Sequence, residues 1–169
     1  MTEQIPQFIQ LLITGGTIDK DYQTTSGELL FSETHLPQIL EEASCTVPVR
    51  TETLMLKDSL EMSDTDREVI LGACCESRTQ KIIITHGTDT MVETALKLSE
   101  SENLQNKTII LTGAMRPFRL GRSDASFNMG SALMAVQLAQ AGVYIVMNGQ
   151  LFSAQQVQKD RQNGIFITA

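Results

Sequence analysis

Apolar residues recur along the chain in two spacings. Short runs rich in Ile, Leu and Val are apolar at nearly every position: FIQLLIT (8–14), TLML (53–56), KIIIT (81–85), TIILT (108–112) and VYIVMN (143–148). Around them, ETHLPQILEEA (33–43), SDTDREVILGACCESR (63–78), TMVETALKLSESE (90–102) and SDASFNMGSALMAVQLAQAG (123–142) place apolar residues three and four apart. The first spacing predicts strands covered on both faces, and the second predicts helices with a packed stripe. Alternation of the two predicts an α/β fold of three layers, a doubly wound and mainly parallel sheet of the Rossmann or flavodoxin-like kind. No Pro- or Gly-rich linker, low-complexity tract or repeat interrupts the pattern, and 169 residues suit one domain, expected over 1–169.

Composition narrows the partners. A net charge of −7, with Lys and Arg scattered, offers no basic stripe for a nucleic-acid backbone or an anionic membrane surface. The start MTEQIPQFIQLLITGG is acidic and lacks the basic region of a secretory leader, and no run approaches the roughly 20 apolar residues of a membrane span. Cys45, Cys74 and Cys75 are odd in number, two of them adjacent in a helical pattern, which suggests neither a disulfide framework nor a zinc site. A reducing cytoplasm fits, with no metal or organic cofactor. The segment SFNMGSALMAVQLAQ has more apolar positions than one core-facing stripe needs, so a homo-oligomer, dimer or tetramer, is expected unless that helix is buried all round.

Candidate chemistry sits where strands end. LLITGGTIDKDY (11–22), IIITHGTDT (82–90) and IILTGAMRP (109–117) each leave a strand through Thr and Gly, and in open parallel sheets ligands bind beyond these carboxyl ends. A phosphate site is disfavoured, since neither G-x-G-x-x-G nor a P-loop with its Lys is present and TGGT alone is weak. Thr90 and Glu93 have the spacing of a capping box for the helix that follows. That leaves Thr88 and Asp89 unexplained by turn chemistry. His86 reads as a structural histidine rather than a base.

Together TGGTI, THGTDTMVETA, LTGAMRP and SDASFN, in this order, resemble the bacterial-type L-asparaginase family, the threonine amidohydrolases. The resemblance covers almost the whole chain but only the N-terminal, catalytic domain of the usual two-domain enzyme. It is strongest to the short single-domain members, through GGTIDKDY and KDSL. It implies that Thr17 is the first catalytic threonine, that Thr88 and Asp89 are the second threonine and its adjoining aspartate, and that Lys159 is the catalytic lysine. Ser59 matches the substrate-binding serine, whereas the next position, often polar in the family, is Leu60. Tyr22 falls in the loop segment after the first threonine. The implied substrate surface is Gly16, Asp58, Ser59, Gly87, Thr88, Asp89 and Ala114. With the chain stopping at GIFITA, the resemblance also implies no C-terminal domain, a more open site and a KM near the upper end for ordinary enzymes, about 1 mM.

These residue types suit amide hydrolysis. A threonine hydroxyl needs an adjacent base to attack an amide carbon, and a lysine amine serves as that base only where its surroundings favour the neutral form. Taken alone, Lys159 in QQVQKDRQ would be an ordinary solvated side chain; the resemblance reverses that reading. Backbone N–H groups of turns 15–17 and 87–89 are candidate oxyanion donors. A carboxylate beside Thr88 can orient the lysine or pair with the α-ammonium of an amino-acid substrate. The expected reaction is double displacement on L-asparagine, giving L-aspartate and ammonia, with the order of the two threonines open. A slow amino-acid-binding module and a preference for glutamine stand as alternatives.

Overall fold

A computed structural model of the protein describes residues 7–169. The acidic stretch 1–6, part of the segment read above as unlike a secretory leader, lies outside the described residues. The elements in order are β1 (Ile9–Gly15), β2 (Lys20–Tyr22), β3 (Leu29–Phe31), α1 (Leu36–Glu42), β4 (Val49–Lys57), α2 (Asp64–Glu76), β5 (Lys81–Thr85), α3 (Met91–Ser99), β6 (Thr108–Thr112), α4 (Ala125–Leu138), β7 (Gly142–Met147), β8 (Gln150–Ser153), β9 (Val157–Asp160) and β10 (Ile165–Thr168). The main sheet has six strands in the order β4-β1-β5-β6-β7-β8. Every pairing in it is parallel except β7 with β8. The doubly wound, mainly parallel fold class is therefore the observed one.

Strand alternation divides the core between the two faces. Leu12, Ile82, Ile84, Ile109, Leu111 and Ile145 pack toward α2 and α3, through Ile70, Cys74, Met91, Ala95 and Leu98. Leu11, Ile13, Ile83 and Ile110 pack toward α1 and α4, through Leu36, Ile39, Ala125, Met129 and Ala132. Successive side chains point to opposite faces, so a strand covered on both sides must be apolar throughout. Burial of each such Ile or Leu is worth about 1.5–3 kcal/mol.

The pattern did not reveal three hairpins. After β7 the chain reverses through Asn148 (φ 55°) and Gly149 (φ 75°), the left-handed pair of a two-residue hairpin turn, so the Asn-Gly step was the available signal. The β2–β3 and β9–β10 hairpins each join a short polar strand to a short apolar one and are antiparallel pairs outside the main sheet. The capping expectation also needs correction: Thr90 precedes α3, but its hydroxyl donates to Ser59 O at 2.9 Å and Glu93 pairs with Arg67 at 3.1 Å. The capping box belongs to α2, between Ser63 and Asp66. Helix α4 is not buried all round: Ala125, Met129, Ala132, Leu133 and Val136 face the core, while Phe127, Met134 and Leu138 are exposed. Among the described residues no helix is long and apolar enough to cross a membrane.

Candidate active site

Strand order fixes where a ligand can sit. From β1 the chain continues to α1 on one face, whereas from β5 it continues to α3 on the other. The crevice between the carboxyl ends of these neighbouring strands is a topological switch point. Two turns meet there in backbone contact. Gly16 has φ 83°, and a Cβ at that position would lie 2.5 Å from Gly87 N. A Cβ on Gly87 would lie 2.6 Å from Cβ and Oγ of Ser59. No side chain fits at either place, and the glycines thereby bring the Thr17, Ser59 and Thr88 turns together.

Thr17 opens a single 3₁₀ turn, Thr17–Asp19, and is half-buried. Its hydroxyl makes no hydrogen bond among the described residues. Asp19, at the end of that turn, is buried and accepts from the Thr34 hydroxyl at 3.1 Å and the His35 backbone N–H at 2.8 Å. Those bonds tie the Thr17 turn to the start of α1. Burial pushes the Asp19 carboxyl up to about 6, against the opposing pull of both hydrogen bonds.

Asp58 and Ser59 follow β4. Asp58 accepts from Leu60 N at 3.0 Å and from Lys20 Nζ at 2.5 Å, and the Lys20 hydrogen bond holds its carboxyl below the usual range. Its carboxylate is thus engaged by the protein and acts as a clasp between the segment after β1 and the turn after β4. Ser59 is buried and accepts from Thr90 N at 3.3 Å.

The turn after β5 carries a cluster of polar and charged side chains. Lys159, reaching across from β9, donates from Nζ to Thr88 Oγ1 at 2.8 Å and to Asp89 Oδ1 at 2.8 Å. Its side chain is only 10% exposed, so it is not the solvated lysine its local sequence suggests. Thr88, although on a turn, is only 6% exposed, with the Lys159 side chain lying against it. Asp89 Oδ1 also accepts from Arg161 at 2.7 Å, and the hydrogen bond from Lys159 is the main reason its carboxyl lies below the usual range.

His86 is structural. Nδ1 faces Gly87 O at 2.7 Å and must donate, leaving Nε2 to accept from Thr94 Oγ1 at 2.8 Å, while Arg67 Nε donates to Thr94 at 3.2 Å. The chain of bonds fixes the neutral tautomer, and burial lowers the ring to about 4. The third turn abuts the second: a Cβ on Gly113 would collide with His86 O, and Asn128 donates to Gly113 O at 2.9 Å. Ala114 itself is packed among the α1 and α4 core residues, which leaves its backbone as the part available to a ligand. Tyr22, on the β2–β3 hairpin, is 51% exposed and makes no hydrogen bond to Thr17.

A concavity of about 540 Å³ lies at the opposite, amino end of the strands between Phe8, Ile9, Pro48 and Lys81. It includes none of these turn residues. The sequence pattern also missed Asp19, Lys20, Arg67 and Arg161, charged groups whose partners lie far along the chain. Only the GGTIDK spacing placed two of them near Thr17.

Asp19 and His86 give the fold opposing pH dependences. The Asp19 carboxyl is raised on folding, from 3.8 to about 6, so its stabilisation is complete below pH 3.8 and lost as pH rises through 6. His86 is depressed, from 6.5 to about 4, so its stabilisation is complete above pH 6.5 and lost as pH falls through 4. Each shift corresponds to about 3 kcal/mol. Relative to Asp19→Asn, the natural protein should lose about 2 kcal/mol of stability between pH 4 and pH 7. Urea unfolding of both proteins across that range measures the difference; a difference that does not change with pH refutes the assignment.

Fold and site together define a doubly wound α/β protein with hydroxyl, amine and carboxylate groups gathered at a switch-point crevice. The chain belongs to the asparaginase family: residues 8–165 match the family described as Asparaginase, N-terminal. It is 35% identical over 156 residues to a glutamyl-tRNA(Gln) amidotransferase component of Methanococcus vannielii, covering 85% of this chain and 34% of that protein. To the probable periplasmic L-asparaginase of Haemophilus influenzae it is 31% identical over 166 residues, 89% of this chain and 46% of the other. The thermostable L-asparaginase from Thermococcus kodakarensis superposes with a TM-score of 0.79 at 27% identity, over 95% of this chain and 50% of that one. The chain thus spans about a third to a half of these relatives' length.

Proposed function

We propose that this protein hydrolyses the side-chain amide of L-asparagine to L-aspartate and ammonia by threonine nucleophilic catalysis. The observation that carries the reading is the contact of Lys159 Nζ with both Thr88 Oγ1 and Asp89 Oδ1, each at 2.8 Å, on the turn packed against that of Thr17. A hydroxyl, an amine within its reach and a carboxylate that orients the amine form a nucleophile-activating relay. Thr17, whose hydroxyl has no hydrogen-bond partner among the described residues, attacks the amide carbon; the C–N bond breaks and ammonia leaves with the hydroxyl proton. Water, deprotonated through Thr88 and Lys159, then attacks the Thr17 ester, whose C–O bond breaks to give aspartate and restore the hydroxyl. Tyr22, on the hairpin that follows Thr17, is assigned to assist the Thr17 attack. Asp89 binds the substrate α-ammonium, Ser59 and backbone groups of Gly16, Asp58, Gly87 and Ala114 hold the remainder, and no cofactor takes part.

The name of the Methanococcus vannielii relative favours keeping a second reading, in which glutamine or another small amide is the ammonia source. Ammonia release from millimolar asparagine and glutamine decides between them. No ammonia from either, with a melting temperature that still rises on adding asparagine, would leave only an amino-acid-binding module. We also propose a cytoplasmic homo-oligomer assembled through the exposed Phe127, Met134 and Leu138 of α4. Sedimentation of the purified protein as a monomer refutes the assembly.

A further inference from the structure

We propose that Arg161 sets the ligand preference of the site by occupying the Asp89 carboxylate in competition with a ligand's ammonium group. The inference rests on the reading of Asp89 given under the proposed function. Arg161 opens the turn of the β9–β10 hairpin, two residues beyond Lys159, and both side chains reach Asp89. Its guanidinium donates to Asp89 Oδ1 at 2.7 Å and to the Asp89 carbonyl at 2.8 Å. The turn that presents it is tied to Asp160, which accepts from the backbone N–H groups of Gln162 at 3.0 Å and Asn163 at 3.1 Å.

The Asp89 carboxylate is therefore already engaged, shared by the Arg161 guanidinium and the Lys159 amine. Asp89 Oδ1 already accepts from Lys159 and Arg161, so both of its lone pairs are used. Oδ2 accepts no hydrogen bond among the described residues and is the atom an incoming ammonium would use. There the ammonium meets the repulsion of the Arg161 guanidinium. A ligand carboxylate is instead drawn to the unused N–H groups of Arg161. Lys159 is enclosed and serves the reaction, but the Arg161 side chain is 61% exposed and pairs with no other carboxylate among the described residues. Arg161 is thus the removable cation, a positioning residue that acts through Asp89.

Titration calorimetry with L-aspartate and with succinate, which has the same two carboxylates and no ammonium, separates the two effects. Arg161→Gln should tighten L-aspartate by about three- to fivefold, the scale of an exposed ion pair, without tightening succinate. Arg161→Lys, which keeps the charge, should stay close to the natural protein. In an Asp89→Asn background the Arg161→Gln gain should vanish. Equal changes for both ligands, no change for either, or no L-aspartate binding by any of the proteins would overturn the proposal. Ammonia release from asparagine on the same samples reports separately on the amidase reading. Selective tightening of L-aspartate without ammonia would remove the enzyme and keep the role of Arg161.

Discussion

Lys159→Met should leave a folded protein that turns asparagine over about 10³-fold more slowly and accumulates an aspartyl group on Thr17. The rate loss is the scale of a removed general base. Met keeps an unbranched stem of similar reach, so the enclosed volume above Thr88 stays filled, while Arg161 still neutralises Asp89. In the proposed sequence of steps the first ester forms at Thr17 and its hydrolysis needs the Lys159–Thr88 pair. Blocking the second step should therefore trap the first product. Intact-mass measurement after incubation with asparagine detects the adduct, and peptide mapping locates it. Thr88→Ala should behave in the same way, since the hydroxyl that Lys159 contacts disappears. Undiminished turnover by Lys159→Met returns the lysine to a purely structural role, and an adduct mapped to Thr88 instead of Thr17 reverses the order of attack.

Thr17→Ala should lose about 10⁶-fold in turnover, the scale reached when another hydrolase loses its hydroxyl nucleophile. No adduct should form. Thr17→Ser should recover a large part of the activity, because the attacking oxygen is retained. The Thr17 hydroxyl makes no hydrogen bond among the described residues and the residue is half-buried, so either change should alter stability by no more than about 0.5 kcal/mol. Urea unfolding beside the ammonia assay makes the test clean. Full activity in a stable Thr17→Ala protein refutes the assignment of the nucleophile.

Much of the molecule was legible from the chain. The strands KIIIT and TIILT announce themselves because a sheet covered on both faces demands apolar side chains at every position, a demand that local sequence alone expresses. The turns after β1, β5 and β6 were legible for a similar reason: TGG, HGTD and TGA carry residues that a sharp strand exit requires. Thr17, Ser59, Thr88, Asp89 and Lys159 were named through the family resemblance that the short motifs carry. The hairpins β2–β3 and β9–β10 were not legible, since each is a two-stranded unit of strands only three or four residues long, too short to show either period. The Thr90–Glu93 spacing matched a cap, but Ser59 and Arg67, brought close by folding, compete more favourably for those side chains.

Sequence by itself thus determined the layers, the parallel core and the identity of the groups at the strand ends, because burial and turn geometry act over a few neighbouring residues. Tertiary structure alone decided which of those groups touch. Lys159 lies 71 residues from Thr88 and 70 from Asp89, and its local sequence is that of a solvated surface lysine. Only the return of the β9–β10 hairpin across the switch point encloses it. The same return sets Arg161 on Asp89, a pairing between charges 72 residues apart that depends on how the sheet is ordered and how the hairpin folds back over it.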